Sequence, residues 1–134
     1  MEIKEYTTYN EEEILKLYSE LDWTAYTKDP ISLRNGFLNS LLILGAYVDN
    51  KLVGLIRIIG DKSTIIYIQD LLVLPKHQRR GIGKALIEEA LNRYKNVRQI
   101  VLISDNNEDT KAFYEKEGFK LINEYGCISF MKVN

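Results

Sequence analysis

The stretch from Val73 to Leu91, VLPKHQRRGIGKALIEEAL, limits what this chain can fold into more than any other. An apolar run ends at Leu74, and Pro75 stops it. Five of the next nine residues are basic or imidazole-bearing (Lys76, His77, Arg79, Arg80 and Lys84), and Gly81 and Gly83 then open a new period. Ile82, Leu86, Ala90 and Tyr94 stand four apart, with Ile87 and Leu91 beside them, while Lys84, Glu88, Glu89 and Arg93 take the other side. That is the pattern of a helix packed on a sheet. The run RQIVLIS follows as another buried strand, so strand, helix and strand form a crossover unit with parallel strands.

The flanking sequence supplies the rest of the sheet. EIKEYT alternates like an edge strand, and Asn10 with Glu13 three residues on forms a capping box for a helix over about Glu11 to Glu20. A second short helix is expected from Pro30 to Asn39. LLILGAYVD and KLVGLIRIIG read as a hairpin turning through Asp49, Asn50 and Lys51. STIIYIQDLLVL, nearly continuous in apolar residues, reads as a central strand covered on both faces. After the crossover, Asn107 and nearby acids start a short helix that Gly118 ends in the left-handed conformation, with Phe119 as its apolar clasp. Two final strands are expected, at about Lys120 to Glu124 and Cys127 to Val133. The fold class is α/β (α+β), a mixed sheet with helices on its faces. Without linkers, repeats or low-complexity tracts, residues 1–134 read as a single domain.

A formal charge of -1 argues against a general nucleic-acid or membrane-surface binder, so any basic patch must be local. No apolar run approaches the roughly 20 residues needed to span a bilayer. The polar, acidic start MEIKEYTTYN does not resemble a signal peptide, and the lone Cys127 cannot form an internal disulfide. These features lead to the expectation of a cytoplasmic protein whose Cys127 is a buried structural thiol on a strand.

The glycine pair then acquires a chemical meaning. After a strand and at the start of a helix, Gly81 and Gly83 let the backbone turn tightly and approach a ligand with no Cβ in the way. The free N–H groups of that first turn converge at the positive end of the helix dipole, an arrangement that binds anions. Arg79, Arg80 and Lys84 add formal charge, and arginine grips phosphate oxygens in pairs. The ligand is expected to be a phosphate or pyrophosphate; an ordinary turn with a solvated basic edge is the alternative. A Walker loop is excluded, because Gln78 stands where its first glycine belongs and Ala85 where its Ser or Thr belongs. A dinucleotide fingerprint would need a third glycine at Leu86.

QRRGIG, from Gln78 to Gly83, resembles instead the Q/R-x-x-G-x-G/A pyrophosphate loop of the GNAT acyltransferase superfamily. The resemblance extends to DLLVLPKHQRRGIGKALIEEAL, which is similar to that superfamily's motif A, and to NEDTKAFYEKEGF, which is similar to its motif B. The order of strands and helices also matches, so it covers essentially the whole chain, as a small single-domain, bacterial-type member. It implies acetyl-CoA as cosubstrate and no metal, with the acetyl group passed by direct attack to a primary amine.

By that resemblance, the pantetheine arm lies along a strand edge at Leu72 and Val73, where a backbone N–H near Val73 polarises the thioester carbonyl. A bulge around Asp70 to Leu72 would splay the strands. The pyrophosphate falls to Gln78, Arg79, Arg80, Gly81, Ile82, Gly83 and Lys84. Tyr114 matches the tyrosine that serves as general acid near the CoA sulfur, packing being its other role. Asn107 bonds pantetheine or simply caps its helix. Asp70 is the one residue of its strand able to act directly as base; its rival role is structural, and a water relay to Asp70 or to a backbone carbonyl is the alternative to direct action. His77 is a surface residue or a weak phosphate contact.

The acceptor region implied by the family is YSELDWTAYTKDP with Trp23 and Tyr26, joined by Phe37 and Tyr125. Aromatic and acidic groups there would hold an amine, though the same aromatics could be core. The acceptor is expected to be a small-molecule amine, with a protein amino terminus or lysine as runner-up. A CoA-binding module without turnover, and more remotely a nucleotide-phosphate binder, are the competing classes. Nucleic acid and membrane are not expected partners, and a homodimer through the last strands would follow from the resemblance alone.

Overall fold

The computed structural model describes residues 1–134, which divide into two compact units, Met1–Ile103 and Ser104–Asn134. In the first unit, β1 (Glu2–Glu5), β2 (Leu42–Val48), β3 (Lys51–Gly60), β4 (Ile65–Val73) and β5 (Gln99–Leu102) form one sheet in that spatial order. Neighbours are antiparallel except β4 and β5, which are parallel as the crossover pattern requires. Helices α1 (Glu11–Ser19), α2 (Thr24–Thr27), α3 (Pro30–Leu38) and α4 (Ile82–Arg93) lie on the sheet's two sides. None of the helices is long and apolar enough to cross a membrane.

Local chemistry explains most of these boundaries. Asn10 Oδ1 accepts the Glu13 amide at 3.1 Å, so the first helix starts where expected. The reciprocal half of the capping box is not made. Glu13 accepts the Tyr6 hydroxyl (3.0 Å) while the Asn10 amide donates to that same oxygen (3.1 Å). Asp49 and Asn50 both adopt positive φ (51° and 63°), a pairing that suits a two-residue hairpin turn, and Val48 pairs with Lys51 across it. The Asp61 carboxylate accepts the Thr64 hydroxyl (2.6 Å) and three amides, from Ser63, Thr64 and Ile65; the hydroxyl first and the amides with it hold its pKa below the usual carboxylate range and pin the β3–β4 turn. The short α2 was not foreseen; it has four residues and no side-chain cap.

Strand β4 departs from simple alternation at one point. Arg57 pairs with Asp70, but the next residue, Ile58, pairs with Ile68, leaving Gln69 as an extra residue. Adjacent strand residues face opposite ways and paired residues face the same way. Ile68 and Asp70 therefore lie on opposite faces although they are two apart. Past the bulge, Asp70 and Leu72 turn toward α1 and α3, where Leu72 joins Ile14, Leu17, Tyr18, Leu33 and Phe37 in a core cluster. The bulge therefore begins one residue before the expected span, at Gln69.

Strand β5 is only partly buried, because it ends the sheet; the sequence pattern had suggested full burial. The second unit holds α5 (Glu108–Lys116), begun by Asn107, whose side chain accepts the Thr110 amide at 2.8 Å, and followed by Gly118 at φ 93° as expected. The two final strands are absent. Ile122–Tyr125 form a short 3-10 turn, closed by the Leu121 amide donating to Glu124 (3.1 Å), and residues 126–134 have no regular structure. Ile128, Phe130 and Met131 point at solvent, each at least two thirds exposed, because a strand-like apolar pattern makes a strand only where a partner accepts its hydrogen bonds. Cys127 is exposed, not a buried strand thiol.

Candidate active site

The β4–β5 pairing runs from Ile65 opposite Gln99 to Ile68 opposite Leu102 and stops there. Beyond the bulge, residues Gln69 to Val73 keep β3 on one side and have no strand on the other. The direction of each amide follows from one bond: Leu74 N donates to Val53 O on β3 at 2.7 Å. Backbone groups alternate along a strand, so Val73 and Leu71 turn their N–H and C=O toward the open edge while Leu72 turns toward β3. Of the two residues assigned to this edge, Val73 presents its amide to it. The backbone of Leu72 does not, and Leu71 takes its place. Only the direction of a hydrogen bond reveals this phase.

Gln78 Nε2 donates to the Val73 carbonyl at 3.0 Å, so Gln78 ties the loop to the strand end. Arg79 (φ 63°) and Gly81 (φ 81°) both occupy the left-handed region, bending the chain so that α4 starts directly at Ile82. No side chain caps this helix. Its first interior bond runs from the Ala85 amide to the Gly81 carbonyl (3.0 Å), so the amides of Ile82, Gly83 and Lys84 come before any helical partner. A Cβ built on Gly81 would meet nothing within 4 Å. Arg79 and Arg80 are exposed and form no ion pair, whereas Lys84 approaches Glu88 at 3.9 Å. Ile82 is buried at 4% exposure, so only its backbone is available to a ligand. An open strand edge thus leads into a set of undirected amides at a positive helix end, flanked by free arginines. A polar arm ending in phosphates fits that shape.

Asp70 lies elsewhere in chemical terms. Its carboxylate is 2% exposed and is held by Arg57 Nε (2.7 Å) and Tyr18 OH (2.8 Å) on Oδ2, and by Tyr26 OH (2.7 Å) on Oδ1. Burial works against the Arg57 charge, yet the adjacent carboxylate outweighs it and raises the guanidinium's pKa. Desolvation, reinforced by Asp70, raises the phenols of Tyr18 and Tyr26 as well. The three donors leave one acceptor site, on Oδ1, and at 2% exposure the carboxylate reaches a substrate only through Tyr26 or a water. Trp23 stacks on Tyr26 (6.0 Å, 27°), and both pack against the core. Phe37 is buried beneath the Arg57 guanidinium, 5.4 Å from ring to Cζ.

A half-open cavity of about 40 Å³ between Tyr6, Thr7, Tyr9, Phe37, Leu38 and Ile43 has room for water and not for an amine acceptor. The buried, unpartnered Tyr9 hydroxyl suits that water. In the second unit, Tyr114 packs edge-on against Phe113 (5.0 Å) and Phe119 (5.7 Å), and burial pushes its phenol up to about 12. Tyr125 is 65% exposed.

The acetyltransferase (GNAT) domain model matches residues 39–121, which contain β2 to β5, the Gly81–Gly83 loop and α5. The chain belongs to this family. A GNAT-family acetyltransferase from Streptococcus pneumoniae TIGR4 superposes with a TM-score of 0.89 at 34% identity, covering 99% of this chain and 97% of that one. An uncharacterized N-acetyltransferase of Pyropia yezoensis is 27% identical over 80% of this chain and 63% of its own length. The peptidyl-lysine N-acetyltransferase YiaC of Escherichia coli is 30% identical over 55% of this chain and 47% of its own. The chain therefore spans about half to two thirds of these curated relatives. The GNAT fold accounts for the parallel pair, the unpaired stretch of β4 beyond Ile68 and the uncapped α4 as one construction.

Proposed function

We propose that this protein transfers the acetyl group of acetyl-CoA to a primary amine on a small molecule, by direct attack of the amine on the thioester. The observation that carries this reading is the open edge of β4 running into the uncapped start of α4. The pantetheine amides add to that edge as a further strand would, at Leu71 and Val73. The pyrophosphate lies on the amides of Gly81 to Lys84, with Arg79 and Arg80 closing over its oxygens. Acetyl-CoA supplies an activated acyl group; the residues hold it, orient the amine and move protons. The Val73 N–H stabilises charge growing on the thioester oxygen. As the amine nitrogen bonds to the carbonyl carbon, its proton leaves through Tyr26 or a water toward Asp70. The C–S bond then breaks and the thiolate takes the proton of Tyr114, with Asn107 holding the start of that helix. Trp23 and Tyr26 supply aromatic faces on the acceptor side.

No metal enters this scheme, and the cytoplasm, where acetyl-CoA and reduced thiols occur together, is the compartment it suits. The exposed apolar residues Ile128, Phe130 and Val133 support association with a second copy, which light scattering of the purified protein would detect.

The function is tested by thiol release from acetyl-CoA across a panel of small amines, peptides with free amino termini and lysine peptides. Turnover with small amines is expected. Activity on peptides alone would move the acceptor to protein, and CoA binding without turnover on any amine would make the chain a binding module.

A further inference from the structure

The network around Asp70 fixes the direction of every hydrogen bond it contains. A carboxylate only accepts, so Tyr26 must donate to Asp70 Oδ1 (2.7 Å). Its hydroxyl proton being used, the Tyr26 oxygen can only accept from Gln69, which therefore presents Nε2 to it at 2.9 Å. That choice leaves Gln69 Oε1 turned away from Tyr26 with no partner on the protein, on an exposed side chain. The bulge is what lets two consecutive residues, Gln69 and Asp70, reach one hydroxyl. The same bulge makes Gln69 the first residue of the open β4 edge, immediately after Ile68 makes the last pair with β5.

We infer that Gln69 receives the acceptor: its oriented side-chain carbonyl takes an N–H of the attacking amine and aims the nitrogen lone pair along β4. This rests on the reading that acetyl-CoA occupies the open edge. The buried charge of Asp70 thereby acts at a distance, by polarity of hydrogen bonds, to select a nitrogen that has a proton to give beyond the one it loses. Primary amines satisfy that demand; a ligand with no donor leaves Gln69 Oε1 unpaired, which binding sites reject strongly. Gln69 accepts from the amine in this scheme, and Tyr26, beside its part on the acceptor side, orients the Gln69 amide.

Two measurements test the assignment. In nitrogen-15 proton correlation spectra without any ligand, one Gln69 side-chain N–H is expected to exchange with water measurably slower than free glutamine, and Tyr26→Phe is expected to abolish that protection. Exchange as fast as free glutamine in the unaltered protein would overturn the orientation. In kinetics with the small amine of highest turnover in the panel, Gln69→Leu is expected to lower kcat/KM for the amine about three- to tenfold, the range for a hydrogen bond between neutral groups, with the acetyl-CoA KM within about twofold. In a Tyr26→Phe background the same change is expected to cost several-fold less, since the amide is no longer oriented. Equal losses for both substrates, or an unchanged amine kcat/KM, would refute the role of Gln69. Failure of the unaltered protein to bind CoA in a calorimeter would remove the function and this inference with it, whereas CoA binding with an unimpaired Gln69→Leu enzyme removes the inference alone.

Discussion

Arg57 lies directly opposite Asp70 across β3 and β4, Nε to Oδ2 at 2.7 Å, with side chains 8% and 1% exposed. An ion pair this dry is dangerous to break and cheap to replace. It joins β3 and β4 to α1 through Tyr18 and to α2 through Tyr26, so the acceptor segment is fastened to the strand proposed to carry the thioester.

Asp70→Asn is accordingly expected to lower stability by about 3–5 kcal/mol, because Arg57 would remain buried without a counter-charge. The paired change of Arg57→Met with Asp70→Leu is expected to recover most of that loss while leaving activity low. Urea unfolding of the three variants measures the first claim and thiol release the second.

How much of this was legible beforehand depended on the range of the interaction. The crossover helix, the hairpin at Asp49 and Asn50 and the caps at Asn10 and Asn107 are local, and their residue types suffice to locate them. The bulge was legible in kind, but its residue was not. Ile66, Ile68, Asp70 and Leu72 share one parity, and only the pairing with β3 shows that the face changes at Gln69. Asp70 carried its acid in plain view, while its partners Tyr18, Tyr26 and Arg57 stand 52, 44 and 13 residues away. The final alternation around Ile128 misled for the converse reason, since period two marks a chain able to form a strand and says nothing of a partner.

Gly81 at φ 81° is the second point of leverage. Gly81→Val is expected to cost about 1–2 kcal/mol from the left-handed backbone, with no clash to add, and to weaken CoA binding well beyond that loss. Gly81→Asn tolerates the backbone better and is expected to separate the two effects, restoring stability more than affinity. Thermal unfolding and calorimetric CoA titration on the same samples give both quantities.

Arg79 holds a positive φ of 63° without being glycine, a strained position beside the proposed pyrophosphate. Arg79→Gly is expected to leave stability unchanged within about 1 kcal/mol while raising the acetyl-CoA KM several-fold at constant kcat, as for a contact made equally in ground and transition states. Added salt is expected to raise the unaltered enzyme's KM in the same direction.

Tyr114 is held at about 12 by burial, above the ordinary phenol value, so its neutral form is favoured in the folded protein. Its contribution to stability is complete below about pH 10 and is lost as pH rises toward 12. Tyr114→Phe is expected to lower kcat roughly ten- to a thousandfold at neutral pH, to change stability there by no more than about 1 kcal/mol, and to soften the alkaline fall in stability between pH 10 and 12. The unaltered enzyme is expected to show no loss of activity from this acid up to about pH 10. Restoration of the variant by a thioester with a more acidic leaving thiol would mark the lost step as protonation of the thiolate.

The central claim is that the open edge of β4 and the uncapped start of α4 hold one CoA molecule between them, and backbone amide shifts during a CoA titration test it most directly. The amides of Leu71, Val73 and Gly81 to Lys84 are expected to move together along one saturable curve at a 1:1 ratio, with the β1–β2 edge unmoved. A titration that leaves those amides in place, or that saturates with shifts confined to other strands, would contradict the account.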